Sequence, residues 1–118
     1  MLAQKHRFHG HASLKYVYRN GAVSRSRLFT VRAVANSRRT EPRCSVVVSK
    51  KVLKSAVGRN RIRRRMYHLL HAQLASFAAP YDVVVMVCTA EVALLPFDEL
   101  ARQLDSQLAE VGVLASES

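Results

Sequence analysis

A run of arginines at residues 59–65 is the feature of this sequence with the clearest chemistry. The segment 58–70 reads GRNRIRRRMYHLL and holds five arginines within seven positions. A guanidinium group is planar and offers paired N–H donors, which suits the oxygens of a phosphate. Because no Asp or Glu lies within the segment, its charge is not neutralised locally. The segment therefore predicts contact with a polyanion.

Helical spacing sorts this segment into two faces. At about 100° per residue, the apolar side chains Ile62, Met66, Leu69 and Phe77 gather on one side, and Arg61, Arg64, Arg65 and His68 gather on the other. Like charges at i and i+4 cost a helix a few tenths of a kcal/mol per pair. Cations near a helix N-terminus also oppose the helix dipole. A helix that accepts both penalties is typical of a phosphate-binding surface.

The charge of the whole chain points the same way. The 118 residues carry a formal net charge of +11, and seven of the eight acidic residues lie from Asp82 onward, Glu41 being the exception. Nucleic acid, an anionic membrane surface and an acidic protein are the partners to consider. An interfacial membrane helix fits poorly, because a regular core stripe and a strand follow the arginines. No apolar run approaches 18 residues, so we expect a soluble protein.

The periodicity of the chain predicts an α+β fold of one domain. The predicted order is α-β-β-α-β-α, with a helix over 11–21, strands over 27–35 and 44–49, a helix from 59 to near 80, a strand over 81–88 and a helix over 96–112. We expect the first two strands to form a hairpin and the later strand–helix–strand series to form a βαβ crossover.

Two smaller expectations concern packing. Phe97, Leu100, Ala101, Leu104 and Leu108 recur at helical spacing and should form the buried stripe of the last helix. Cys44 and Cys88 have no C-x-x-C partner and lie beside runs of valines, so we expect two reduced, buried thiols.

Four segments together resemble the bacterial ribonuclease P protein family. They are SKKVLKSAVGRNRIRRR at 49–65, RFHGHASLKYVYRNG at 7–21, RLFTVRAV at 27–34 and YDVVVMV at 81–87. The R-N-R core after VSKKV is the most specific of them. The resemblance implies a two-layer α-β-β-α-β-α sandwich with a central sheet and a left-handed βαβ crossover, although parallel crossovers are right-handed as a rule.

The resemblance also implies a function and a set of partners. In that family the holoenzyme removes the 5′ leader of precursor tRNA, and its RNA subunit carries the active site and the Mg²⁺. The expected partners are that RNA, in a 1:1 complex, and precursor tRNA, with no membrane and no homo-oligomer. We expect a single cytoplasmic RNA-binding domain over 1–118, with flexible ends at 1–10 and 113–118. The chain itself should bind no cofactor or metal and hold no catalytic residue.

The matching positions supply two groups of expected site residues. The group expected at the catalytic RNA is Lys50, Lys51, Lys54, Arg59, Asn60, Arg61, Arg63, Arg64, Arg65 and His68. The group expected in a cleft for the precursor-tRNA leader, between the first helix and the sheet, is Leu14, Tyr18, Phe29 and Arg32.

Several of these positions depart from the family pattern. Leu14 stands where the family often has Phe, and Arg32 stands where an aromatic residue is common. Tyr67 replaces a later arginine of the basic helix, and Arg65 occupies a position that is commonly aliphatic. Leader binding is therefore expected to depend more on charge here than on base stacking.

Alternative functions differ in class. A protein-only nuclease would need clustered carboxylates or a His acid–base pair, and the acids here are scattered. A DNA-binding helix-turn-helix would need a short helix across a tight turn before the basic helix, and none is predicted. A general basic RNA-binding or ribosome-associated protein without nuclease context remains the alternative to the ribonuclease P subunit.

Overall fold

The computed structural model describes residues 11–36 and 40–114 of the chain. They form the elements α1 (His11–Asn20), β1 (Ala22–Arg25), β2 (Phe29–Ala35), β3 (Arg43–Val47), α2 (Ala56–Gln73), β4 (Tyr81–Val87) and α3 (Phe97–Glu110). Short 3-10 turns follow α2 at Leu74–Ser76 and β4 at Ala90–Ala93. The predicted α+β class is confirmed, and the predicted elements occur in the predicted order. β1 is an additional short strand that the sequence analysis did not identify.

The four strands form one mixed sheet in the order β1-β2-β4-β3. β4 pairs antiparallel with β2 and parallel with β3. The predicted hairpin between the strands now labelled β2 and β3 is therefore wrong, because β4 lies between them. β4 is apolar on both faces, with Val83, Val84 and Val85 buried. Such a strand is stabilised when other strands pair with it on both sides. A hairpin of β2 and β3 would not leave a place for β4 between them.

The segment β3–α2–β4 joins two parallel neighbours through a helix, so the predicted βαβ crossover is confirmed. Its left-handed sense stays a prediction. A buried ion pair fixes the register of the two strands: Arg43 donates from Nε and Nη2 to the Asp82 carboxylate at 3.0 and 2.8 Å. These two residues lie opposite each other in the ladder. Breaking such a pair on one side leaves a buried charge uncompensated, which is costly.

The main core lies between one face of the sheet and helices α2 and α3. Its fully enclosed side chains include Phe29, Val31, Val83, Val85, Ile62, Met66, Leu70, Leu100, Leu104 and Leu108. Helix α1 packs on the other face, where Val17 contacts Val84. At the end of α1, a Cβ on Gly21 would lie 2.6 Å from the Val17 carbonyl oxygen and 2.9 Å from that of Ala33. Only glycine fits so close to two backbone carbonyls.

The segment after α3 packs against the connection that follows α2. Gly112 ends α3, as predicted, and its φ of 86° is a backbone conformation that glycine adopts readily just past a helix end. Val113 is fully buried, and its carbonyl accepts a hydrogen bond from the Ala78 amide at 2.8 Å. Leu114 pairs with Phe77. Residues 113 and 114 thus pack on the fold, whereas residues 1–10 and 115–118 lie outside the described residues; the flexibility of the two ends stays a prediction.

The two cysteines have different environments, which corrects the expectation of two buried thiols. Cys44 is buried in the core, but Cys88, just after β4, is exposed. Burial, together with a smaller effect of the negative charge of Asp82, raises the pKa of the Cys44 thiol from 9.0 to about 12. The neutral thiol is thus favoured in the folded chain, so this group stabilises the fold less as the pH rises above about 9.

We predict that a thiol reagent at pH 8 labels one cysteine of the folded chain, Cys88, because the thiolate is the reactive form. Labelling of Cys44 should require unfolding in denaturant. Mass spectrometry of peptides from the native and the denatured protein measures both sites. Rapid native labelling of Cys44, in a variant that carries Cys88→Ser, would contradict the assigned burial.

Candidate nucleic-acid interface

The basic helix begins three residues earlier than the predicted residue 59. Ser55 caps α2 by accepting a hydrogen bond from the Gly58 amide at 3.1 Å. Gly58 therefore lies in the first turn, and its missing side chain leaves room for Leu53, whose Cδ2 would come within 2.5 Å of a Cβ. The cap places the R-N-R residues in the first two turns of the helix.

The rotation of α2 about its axis is set by the side chains it buries. Ile62, Met66, Leu69 and Leu70 face the core, as their spacing predicted. The opposite side carries the exposed residues Asn60, Arg61, Arg64 and His68, which we call the basic face. Exposure of Arg61, Arg64 and His68 opposite the apolar stripe confirms the predicted division of the helix.

The basic face has no acidic counterpart within the helix, since α2 contains no Asp or Glu. In residues 11–36 and 40–114, arginine ion pairs with carboxylates are made by Arg27 with Glu91 and by Arg43 with Asp82, neither of them on α2. Arg61 and Arg64 thus keep their donors free of every described residue. A cluster of unneutralised guanidinium groups on a rigid helix is suited to phosphates.

Arg59 and Arg63 are half-buried and hydrogen-bonded at the start of the helix. Arg59 donates from Nη1 to the carbonyls of Leu53 and Lys54, at 3.0 and 2.7 Å. Arg63 donates to the side-chain oxygen of Asn60. The Arg59 bonds tie the helix to the loop before it, whose Lys50, Lys51 and Lys54 are exposed. We call these three lysines the basic loop, and it continues the positive surface of the basic face.

Arg65 differs from the other predicted RNA contacts, because its guanidinium is held by the protein itself. It donates from Nη1 to the Val92 carbonyl at 2.6 Å and from Nη2 to the Leu95 carbonyl. The same group lies over the Phe97 ring, 4.5 Å from its centre. Burial lowers the pKa of Arg65, and the positive charge of Arg61 lowers it further. The structure does not bring Arg65 to the basic face as a free donor.

Tyr67, which replaces an arginine of the family pattern, also has a structural partner. Its hydroxyl accepts a hydrogen bond from the Val46 amide of β3 at 3.1 Å. This contact joins α2 to an edge strand. Periodicity cannot reveal such a bond, since it depends on which strand lies beneath the helix.

A second surface lies where α1 crosses the other face of the sheet. Tyr18 is 40% exposed, and the Arg32 guanidinium lies over its ring, 5.0 Å from the centre. Leu14 is half-buried beside them, packed on the Val17–Val84 contact. The structure thus brings together three of the four residues predicted for the leader cleft. We call Leu14, Tyr18 and Arg32 the α1 cleft.

Phe29 does not lie in the α1 cleft. Its side chain is fully buried in the main core, on the face of the sheet that α2 and α3 cover. Successive residues of a strand point to opposite faces, so Phe29 and Arg32 are separated by the sheet. Arg25, at the end of β1, is an exposed cation on the same face as Arg32 that the sequence analysis missed. The four-residue length of β1 left too little alternation to detect.

The described residues bring no three His, Cys, Asp or Glu side chains together in an arrangement that could hold a metal ion. No helix in residues 11–36 and 40–114 is long and apolar enough to cross a membrane. Positively charged side chains of the described residues instead cluster on three surfaces, the basic face, the basic loop and the α1 cleft.

The geometry defines a small α+β protein that presents an unneutralised arginine helix on one side of its sheet. Comparison with known proteins agrees: the family model described as ribonuclease P matches residues 2–112. A ribonuclease P protein component from Pseudanabaena sp. is 33% identical over 115 residues, covering 97% of each chain. One from Acidothermus cellulolyticus is 34% identical over 112 residues, covering 94% of this chain and 92% of its own. The chain belongs to the ribonuclease P protein family.

Solved structures share the fold. The Staphylococcus aureus RNase P protein superposes with a TM-score of 0.80 at 23% identity, covering 92% of this chain and 97% of its own. The Thermotoga maritima protein gives a TM-score of 0.75 at 18% identity, covering 93% and 98%. At this level of identity the likeness supports the architecture alone.

We predict that Arg64→Ala changes RNA binding and that Arg65→Ala changes stability. Arg64→Ala should leave the thermal unfolding temperature unchanged and lower the slope of log K against log salt for RNA binding by about one. Arg65→Ala should lower the unfolding temperature, because it leaves the Val92 and Leu95 carbonyls without their donor, and should change the salt slope little.

Salt titrations of RNA binding and thermal melts of both variants measure these effects. Arg102→Ala, at an exposed arginine of α3, is the matched control for loss of one positive charge. A salt slope that falls equally for Arg64→Ala and Arg65→Ala would contradict the different roles assigned to them.

Proposed function

We propose that this chain is the protein subunit of a bacterial ribonuclease P. It binds the catalytic RNA and the 5′ leader of precursor tRNA, and it assists the endonucleolytic removal of that leader. The observation that carries the proposal is the exposure of Arg61 and Arg64 in the R-N-R segment, without a carboxylate partner among the described residues, on a chain of this family. The proposal names the RNA subunit as the partner of the basic face and basic loop.

Binding to a folded RNA follows from the rigidity of this surface. Four buried side chains hold α2 in one orientation, and Arg59 fixes the basic loop to its first turn. Cations on fixed backbone lose less conformational entropy on binding than cations on a mobile tail. Such a surface suits phosphates whose spacing is set by RNA tertiary structure. Neutralising several of them makes the affinity strongly dependent on salt.

The α1 cleft is the proposed site for the leader. Arg32 stacked on Tyr18 forms a cationic aromatic surface, and Arg25 extends its charge along the sheet. A single-stranded RNA can place its phosphates against these cations and a base against the exposed part of the Tyr18 ring. Since Tyr18 supplies the one aromatic ring of the α1 cleft among the described residues, we expect the charge to contribute most of the leader affinity.

The chain supplies binding rather than bond cleavage in this account. On this proposal the RNA subunit holds the Mg²⁺ and carries out the cleavage chemistry, as the family resemblance implies. One protein per RNA in a cytoplasmic holoenzyme is the assembly we propose. A general RNA-binding protein of the same charge would lack dependence on one structured RNA.

We predict that the purified protein increases leader release by a bacterial ribonuclease P RNA at low Mg²⁺, where phosphate repulsion is least screened. A labelled precursor tRNA reports the cleavage. Arg61→Ala combined with Arg64→Ala should reduce the stimulation, and the deficit should grow with salt.

Arg102→Ala is the single-charge control and should stimulate nearly as well as the wild type. Tight RNA binding by the wild-type protein without stimulation of any class of ribonuclease P RNA would refute the subunit assignment. That result would leave a general RNA-binding protein.

A further inference from the structure

We propose that Phe97 is a docking site for an unpaired nucleobase of the RNA that the basic face binds. The proposal rests on the proposed function and extends it, because it adds a stacking contact to a surface that otherwise offers only charge. It arises from a departure from expectation: Phe97 was predicted to begin the buried stripe of α3, but 47% of the residue is exposed. The three leucines that follow it in the stripe, Leu100, Leu104 and Leu108, are fully buried.

The Phe97 ring is held in place at the edge of the basic face. The Arg65 guanidinium covers one side of the ring at 4.5 Å from its centre. His68, a member of the basic face, meets the ring edge-on, with 5.7 Å between ring centres. Arg65 is itself fixed by the Val92 and Leu95 carbonyls. An aromatic ring that is immobilised on one side and exposed elsewhere loses little freedom when a base stacks on it.

The phosphate-binding cations lie beside this ring. Arg61 and Arg65 lie four residues apart on α2 and are therefore neighbours on the helix surface, and Arg65 contacts Phe97. His68 lies four residues after Arg64 and touches the ring. An RNA strand with a phosphate on Arg61 or Arg64 therefore has its adjoining nucleotide within reach of Phe97. Arg65 behind the ring adds a cation–π contact that strengthens stacking with a base.

The surroundings of Phe97 favour RNA as its occupant over another protein. Little apolar surface is exposed around the ring: Phe97 is 47% exposed, and Leu94, three residues before it in the chain, is 81% exposed. Arg65 and His68 contact the ring. Stable protein interfaces need a larger patch with few charges at its centre. A nucleotide needs one stacking surface for its base and one cation for its phosphate. A single aromatic ring among arginines and a histidine offers both.

The test uses the absence of tryptophan from the sequence, so that Phe97→Trp introduces the only indole. This variant should bind ribonuclease P RNA as tightly as the wild type. Its emission should be quenched on binding and shielded from acrylamide, because a base stacks on the indole. Phe97→Leu keeps apolar volume but removes the stacking surface, and it should weaken RNA binding by roughly fivefold to 150-fold. Tyr16→Trp, on exposed α1, is the matched indole control and should show no quenching by this RNA.

The outcomes separate this proposal from the proposed function. If the wild type stimulates cleavage but Phe97→Leu binds equally well and the Phe97→Trp emission is unchanged, the docking site is refuted and the subunit assignment stands. Weakened binding by Phe97→Leu without quenching in Phe97→Trp also refutes it, since the loss then comes from a displaced Arg65. If Phe97 is required for binding a protein but not for binding RNA, the docking site is likewise refuted. If the wild type neither binds nor stimulates the RNA, the proposed function fails first.

Discussion

The orientation of α2 against the sheet is the constraint on which the rest of the structure depends. Four side chains, Ile62, Met66, Leu69 and Leu70, are buried beneath the helix. Burial of each contributes about 1.5–3 kcal/mol, whereas each like-charge pair costs a few tenths of a kcal/mol. Burial therefore decides how the helix turns, and it forces Arg61 and Arg64 to the surface despite their mutual repulsion. No carboxylate of the described residues pairs with Arg61 or Arg64, and we propose that a polyanion neutralises their charge.

The same packing divides the arginines of one short segment into different roles. Arg61 and Arg64 project away from the core, while Arg59 reaches back to the carbonyls of Leu53 and Lys54. Arg65 reaches across to the connection before α3 and closes over Phe97. Arginines of one short segment are thus left exposed, brace a loop or join two helices, according to their angle around the helix. This explains how Arg65 can replace the aliphatic residue common in the family: its long side chain performs a packing role.

Local patterns in the sequence were sufficient for the presence and order of the helices and for Arg61, Arg64 and His68 of the basic face. They did not predict that α2 ends at Gln73 rather than near residue 80, or that Arg65 packs on the protein. The α2 stripe and the termination of α3 at Gly112 follow from spacing and from glycine conformation. The strand order did not follow, because pairing of β4 between β2 and β3 is a non-local outcome of burying a strand that is apolar on both faces. Phe97 satisfied the helical spacing of the α3 stripe, yet its place at the first position of the helix leaves it at the edge of the core, where Arg65 covers it. The hydrogen bond of the Tyr67 hydroxyl likewise depended on which strand lies beneath the helix, whereas strand alternation alone separates Phe29 from Arg32.

We propose that the side of α2 opposite its buried stripe is the surface that contacts the catalytic RNA. A cryo-electron microscopy structure of the chain bound to ribonuclease P RNA tests it most directly. The account predicts RNA phosphate oxygens within about 3 Å of the Arg61 and Arg64 guanidinium nitrogens, with Arg65 still bonded to Val92. An RNA subunit seated on α3 or on the edge strand β3, with Arg61 and Arg64 left in solvent, would contradict it.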